Sequence, residues 1–210
     1  MVDYASFKAI IQESLYANYN YSARLFRGTR VKDVSMFDFS KTQNLSYGFI
    51  GSKLETLVID ASNVANMQDM CADCKNLKSV VFTNETFKVS NIINAFNGCS
   101  SLETINILDV SNCVSLGAVH THRTWGGCGL LKEIRFVENC IKVTCYMAES
   151  PLLSAESVQS IFDGLATVET AQTLTLHKNA KILQSQVDSA NAKGWTVAGG
   201  TVVSEEEYYG

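Results

Sequence analysis

Three features place the chain in the α/β class, as a stack of short units closed by a mixed cap. A six-residue phrase recurs along the middle of the sequence, its copies start at nearly constant spacing, and the hydrophobic period changes after Leu153. The copies read Leu54-Glu-Thr-Leu57-Val-Ile59, Leu77-Lys-Ser-Val80-Val-Phe82, Leu102-Glu-Thr-Ile105-Asn-Ile107 and Leu131-Lys-Glu-Ile134-Arg-Phe136, with Val31-Lys-Asp-Val34-Ser-Met36 as a weaker first one. Their starts, at 31, 54, 77, 102 and 131, lie 23, 23, 25 and 29 residues apart.

That spacing falls within the ~20 to 29 residue period of leucine-rich repeats, so the expected architecture is a leucine-rich-repeat solenoid of five repeats. Within each phrase the last two apolar positions alternate about one outward residue, the pattern of a short strand with one buried face. Three residues before each lead leucine stands a small residue: Gly51, Cys74, Cys99, Cys128, and then Ser150 ahead of Leu153. Three further back stand Gly48, Cys71, Phe96, Trp125 and Met147. These columns predict a turn of helix on the return path, over Asn63 to Cys71 and Asn91 to Phe96, begun by the cap-forming residues Ser62 and Ser90.

Flanking segments follow different patterns. In residues 1–30, Phe7, Ile10, Ile11 and Leu15 make a helical face, and Tyr16, Tyr19, Tyr21 and Phe26 follow in a loop-like stretch. This is an N-terminal cap over residues 31–153, or a docking segment, since aromatics are enriched at interfaces. After Leu153, Ser154 caps an amphipathic helix running to Ala166 with Val158, Ile161, Phe162 and Leu165 on one face. Thr173 to His177 alternates as a strand, and Lys181 to Lys193 reads as a second helix carrying Ile182, Leu183 and Val187. Gly194 is placed to end that helix, and Trp195-Thr-Val197 gives a last strand. Residues 154–198 thus form an α/β cap of the kind a repeat stack needs at its end. The tail 199–210, with Glu205 to Glu207 beside Tyr208 and Tyr209, reads as frayed and solvated.

Composition bounds the function. The 210 residues are 46% hydrophobic and 18% charged with one proline, the make-up of an ordered chain. A net charge of −4, from 17 basic and 21 acidic residues scattered along the chain, offers no stripe for nucleic acid. No apolar run approaches the ~18 to 20 residues of a membrane helix, and residues 1–13 do not read as a signal peptide. Seven cysteines, an odd number, cannot all pair within one chain, and we read them as buried small hydrophobes.

The Phe96-Asn-Gly-Cys99-Ser-Ser-Leu102 phrase resembles the unit ending of the BspA-like leucine-rich repeats, Phe-x-x-Cys-x-x-Leu. Trp125-Gly-Gly-Cys128-Gly-Leu-Leu131 is similar to it, and Cys71-Ala-Asp-Cys74-Lys-Asn-Leu77 agrees in its Cys and Leu. The resemblance covers roughly Val31 to Leu153 and implies a scaffold found on bacterial surface proteins and in bacteriophage structural proteins. The Ser-Pro-Leu-Leu-Ser and Lys-Gly-Trp-Thr-Val phrases resemble the C-terminal caps of short repeat proteins encoded among phage tail genes.

Chemistry-bearing groups are few. Cys71-x-x-Cys74, with Cys140, Cys145, His120 and His122 as further donors, invites a zinc or redox reading, but the repeat columns place both cysteines in the core. No catalytic, phosphate-loop or dinucleotide motif is present, so neither an enzyme nor a cofactor or metal is expected. The functional lead is the longest unit, between Leu102 and Leu131, six residues longer than the 23-residue copies. Its surplus falls around Gly117-Ala-Val-His120-Thr-His122-Arg123, and inserted residues loop out, often on a binding side. His120, His122 and Arg123 are therefore candidate partner-binding residues, with Tyr16, Tyr19, Tyr21 and Phe26 next. The expected function is non-enzymatic binding or assembly in a phage virion, at the tail. Its partners are other virion proteins, a host protein or surface glycan, or a second copy of the chain. A bacterial cell-surface adhesin is the alternative, and an unrecognised hydrolase the second.

Overall fold

A computed structural model describes residues 4–17, 24–84, 86–117 and 123–209. Its elements in chain order are α1 (Tyr4–Tyr16), β1 (Thr56–Ile59), β2 (Ser79–Phe82), β3 (Thr104–Leu108), β4 (Glu133–Phe136), β5 (Cys145–Met147) and α2 (Ala155–Gly164), then β6 (Gln172–Leu176), β7 (Lys181–Ile182), α3 (Gln184–Ala192), β8 (Trp195–Ala198), β9 (Thr201–Val202) and α4 (Glu205–Tyr209). The strands pair in parallel within three separate sheets, ordered β1-β2-β3-β4, β5-β6-β8 and β7-β9.

This corrects the expected leucine-rich-repeat solenoid. The α/β class holds, but among the described residues the strands form three short parallel sheets with four helices, not one continuous five-repeat ladder. The ladder ends at β4 for a local reason. On its outer edge the Ile134 and Phe136 amides donate to the hydroxyls of Ser157 and Ser160 of α2, both at 2.9 Å. Helix α2 therefore takes the place beside β4 that a strand would need, and β5 pairs with β6 instead. At the other end Val31 to Met36 forms no strand, and Met36 is exposed. The return segments 63–71 and 91–96 are turns rather than helical: Asn66 and Asn91 accept with their side chains from the amides two residues on, at 2.9 and 3.2 Å.

Apolar alternation explains the four-stranded sheet. Leu54, Leu57 and Ile59 of the first unit are buried, as are Leu77, Val80 and Phe82, and Leu131, Ile134 and Phe136. In β3 the pattern slips: a bulge between Ile105 and Leu108 puts Leu108 opposite Phe136, so Leu108 is buried where Ile107 was expected. Asn106 repairs the pairing there, accepting from the Phe82 amide at 2.8 Å and donating to its carbonyl at 2.9 Å.

The turn before each strand is also shifted in the first unit. Asp73, Gly98 and Gly127 take positive φ (58°, 77° and 72°) directly before Cys74, Cys99 and Cys128, and Gly51 (62°) directly before Ser52. Phe49 and Ser52, not Gly48 and Gly51, thus hold the large and small columns, because that turn is one residue shorter. Side chains bind these columns together. The thiols of Cys74, Cys99 and Cys128 donate to the carbonyls of Phe49, Cys71 and Phe96 in the preceding unit, at 2.9, 3.0 and 3.2 Å.

Just ahead of the strands runs a ladder of backbone bonds: Glu55 to the Lys32 carbonyl, Lys78 to Glu55, Glu103 to Lys78, and Lys132 to Glu103. The residues alternate in charge along it, and Lys32–Glu55 (2.7 Å) and Lys132–Glu103 (3.1 Å) are ion pairs.

Both ends depart from expectation. In α1, Leu15 is buried but Ile10 is 54% exposed, and the side chain of Phe7 lies outside the described residues. The segment expected as a helix from Lys181 begins as strand β7, and α3 starts only after Leu183. The tail is folded: β9 pairs with β7, and Tyr208 of α4 is buried, donating to the Ala155 carbonyl at 2.8 Å and accepting from Gln186 at 2.9 Å.

Candidate functional site

Register sets the outward residues of the four-stranded sheet side by side. Thr56, Ser79, Thr104 and Glu133 form one row, and Val58 and Val81 are paired in the next, with Asn106 and Arg135 at the outward positions that follow Thr104 and Glu133. Strands of a sheet lie ~4.8 Å apart, so these side chains form a close array. Most are small, and Val58 is 40% exposed. Ser79 donates to the Thr56 hydroxyl at 3.3 Å, the only hydrogen bond between side chains of this array among the described residues. Helix α2 packs at the β4 end and α3 against β8, so among the described residues no helix packs on the outward side of β1, β2 and β3, where Thr56, Val58 and Asn106 are exposed and Ser79, Val81 and Thr104 half-buried. Parallel sheets almost always have both faces covered, so the bare face is the departure that asks for a cause.

The residues singled out from the sequence lie elsewhere. His120 and His122 fall outside the described residues, as do Tyr19 and Tyr21. Arg123 stands on the return path between β3 and β4, not on the strand face. It is ion-paired with Glu149, and its guanidinium lies 5.0 Å from the ring centre of Tyr146. Glu149 also accepts from the Gly127 amide at 2.7 Å, so Arg123 is tied to the turn of the following unit. Tyr16, at the end of α1, donates to the Asp38 carboxylate, which raises the Tyr16 pKa and lowers that of Asp38. Phe26 is corrected from a docking residue to a core one: it is buried, stacked on Phe49 and tilted against Phe37, each at 5.4 Å between ring centres.

The cysteines are all free and buried. Burial pushes the Cys71 and Cys99 thiols well above the ordinary value, those of Cys113, Cys128 and Cys145 up to about 12, and that of Cys140 to about 11. Cys74 moves the other way, to about 7, because the Cys71 thiol and the Ser52 hydroxyl bond to it against the effect of burial. A thiolate reacts only where reagents reach it, and Cys74 has no exposed surface. Among the described residues no group of three or more His, Cys, Asp or Glu converges as a metal shell. His177, just past β6, accepts with Nδ1 from the Asn179 amide at 3.0 Å, a local turn contact.

The bare face escaped the sequence because it depends on which side the return path covers, and the alternation of the strands is the same whether the outer side meets water or a partner. No helix among the described residues is long and apolar enough to cross a membrane. In comparisons with known proteins, no family model, no curated protein and no solved structure matches the chain.

Proposed function

We propose that the chain is a non-catalytic binding and assembly module that meets its partner across the uncovered face of the four-stranded sheet. The observation that carries this reading is the bare parallel face itself, with Thr56, Val58, Ser79, Val81 and Thr104 in register on it. A face of small side chains on strands held by parallel pairing is already ordered, so a partner loses little of its binding free energy to rearranging it. Exposed Val58 and half-buried Val81 beside hydroxyls suit a contact that is part apolar and part hydrogen-bonded.

The setting we propose is a phage virion, at the tail, with a neighbouring virion protein, a host protein or a surface glycan as partner. It is supported by the resemblance of the Phe96 to Leu102 phrase and of the C-terminal cap phrases to proteins of that setting. The test pairs two measurements. Peptides of the chain should appear in purified virions by mass spectrometry. A Val58→Arg, Thr104→Arg variant should keep its melting temperature within a few degrees of the parent and lose attachment to host cells or to the neighbouring tail protein. Unchanged attachment with an intact fold would move the contact off this face, and detection only in bacterial envelopes would favour the surface adhesin.

A further inference from the structure

Beyond β4 the sheet meets a cleft of about 290 Å³ between β4, α2 and α4. On α2, Glu156, Gln159, Ser160 and Asp163 recur at i, i+3, i+4 and i+7, and so line one face of the helix. The other wall is aromatic: Tyr208 and Tyr209 of α4 meet edge to face with ring centres 4.9 Å apart. Tyr208 is held from behind by Ala155 and Gln186, while Tyr209 is 73% exposed. Arg135, an outward residue of β4, closes the sheet end.

The polar groups of this cleft are left with capacity. Among the described residues neither Glu156 nor Arg135 has a hydrogen-bonded or ion-paired side-chain partner, and the Asp163 carboxylate accepts from Gln159, at 2.7 Å, on one oxygen. Two carboxylates stand against one guanidinium, so the lining is net acidic. Both carboxylates line the same cleft as the two tyrosines. Burial raises the Tyr208 pKa against the hydrogen bond from Gln186, and the charges of Glu156 and Asp163 add to the rise. Carboxylates at the rim of tyrosine faces form a cradle for a cation on an apolar stem, because the ring face attracts the cation and covers the stem.

We propose that the cleft receives a lysine or arginine side chain of a protein partner, its stem along Tyr208 and Tyr209 and its charge between Glu156 and Asp163. Arg135 repels a cation at the sheet end, so the basic side chain enters from the α4 side. The proposal rests on the reading of the adjoining sheet face as a contact surface for protein, and it adds the charge that the partner must carry.

The probes are N-acetyl-lysine methylamide and N-acetyl-arginine methylamide, titrated into the full chain and followed by amide chemical shifts. Saturable shifts confined to residues 155–163 and 205–209 are expected, with no counterpart for the glutamine or glutamate analogues. Glu156→Gln together with Asp163→Asn should abolish saturation, and Tyr209→Ala should weaken binding about two- to fivefold. Folding of each variant is read from its own spectrum. Equal shifts with the glutamine analogue, shifts produced instead by galactose, glucose or N-acetylglucosamine, or saturation that survives the double variant would overturn the proposal. A Val58→Arg, Thr104→Arg variant should still bind the probes. If it does while keeping attachment, the sheet-face reading fails and the cleft stands.

Discussion

Leu102 and Glu103 are neighbours with opposite fates. The leucine is fully buried, whereas Glu103 carries a partly exposed carboxylate paired with Lys132. Leu102→Ala should lower stability by about 2 to 5 kcal/mol, from lost burial and the cavity left behind, and Glu103→Ala by no more than about 0.5. Urea midpoints for the two variants make the comparison, and equal shifts would refute the assigned register. This contrast was legible in the sequence, since a leucine that returns at near-constant spacing just ahead of an alternating strand points into the shared core each time. The columns behind it were less so. Gly48 and Gly51 both look like turn residues, and only the positive φ shared by Gly51, Asp73, Gly98 and Gly127 moves Phe49 and Ser52 into line with their later counterparts. At Gly98 the absence of a side chain has a second reason, since a β-carbon there would lie 2.5 Å from the Asp73 carboxylate of the preceding unit.

Elements end where their hydrogen-bonding edges are satisfied, and β4 is the instructive case. Ser157 is buried, and its hydroxyl accepts the amide of a buried strand residue. Ser157→Ala should cost about 1 to 3 kcal/mol, because the Ile134 amide is left without a partner away from water. Ser160→Ala should cost less, since Ser160 is half-buried and water can replace its hydroxyl at Phe136. Hydrogen exchange reads this directly, and unchanged protection of the Ile134 amide in Ser157→Ala would show that the cap is incidental. Sequence reasoning found α2 and its Ser154 cap, whose hydroxyl accepts from the Ser157 amide at 3.2 Å. It missed that Ser157 and Ser160 turn toward a strand edge, since serines on a helix read equally well as solvated. The folded tail was missed likewise: what orders Tyr208 is its contact with Ala155, 53 residues earlier.

Across the whole molecule the thiols act together. An unfolded thiol ionises near ~8.5, whereas six of the seven native thiols stay protonated well above that. Above that pH the native state holds more protons than the unfolded state, so stability falls as pH rises, by up to ~1.4 kcal/mol per thiol per pH unit. Cys74 contributes stability as pH rises from about 7 toward 9 and adds no further slope beyond, where it is ionised in both states. The urea midpoint should therefore drop steeply between pH 9 and 10.5, and Cys145→Ala should make the drop shallower. A flat profile over that range would mean that the thiols are not sealed in the core. The alternating ladder of Lys32, Glu55, Lys78, Glu103 and Lys132 works at this same scale, though each exposed pair contributes little by itself. Were a folding chain to skip one unit, Lys32 would face Lys78, Glu55 would face Glu103, and Lys78 would face Lys132. Like charges directly opposite disfavour pairing. The ladder is thus a parity check on assembly, which the apolar alternation shared by the strands cannot supply by itself.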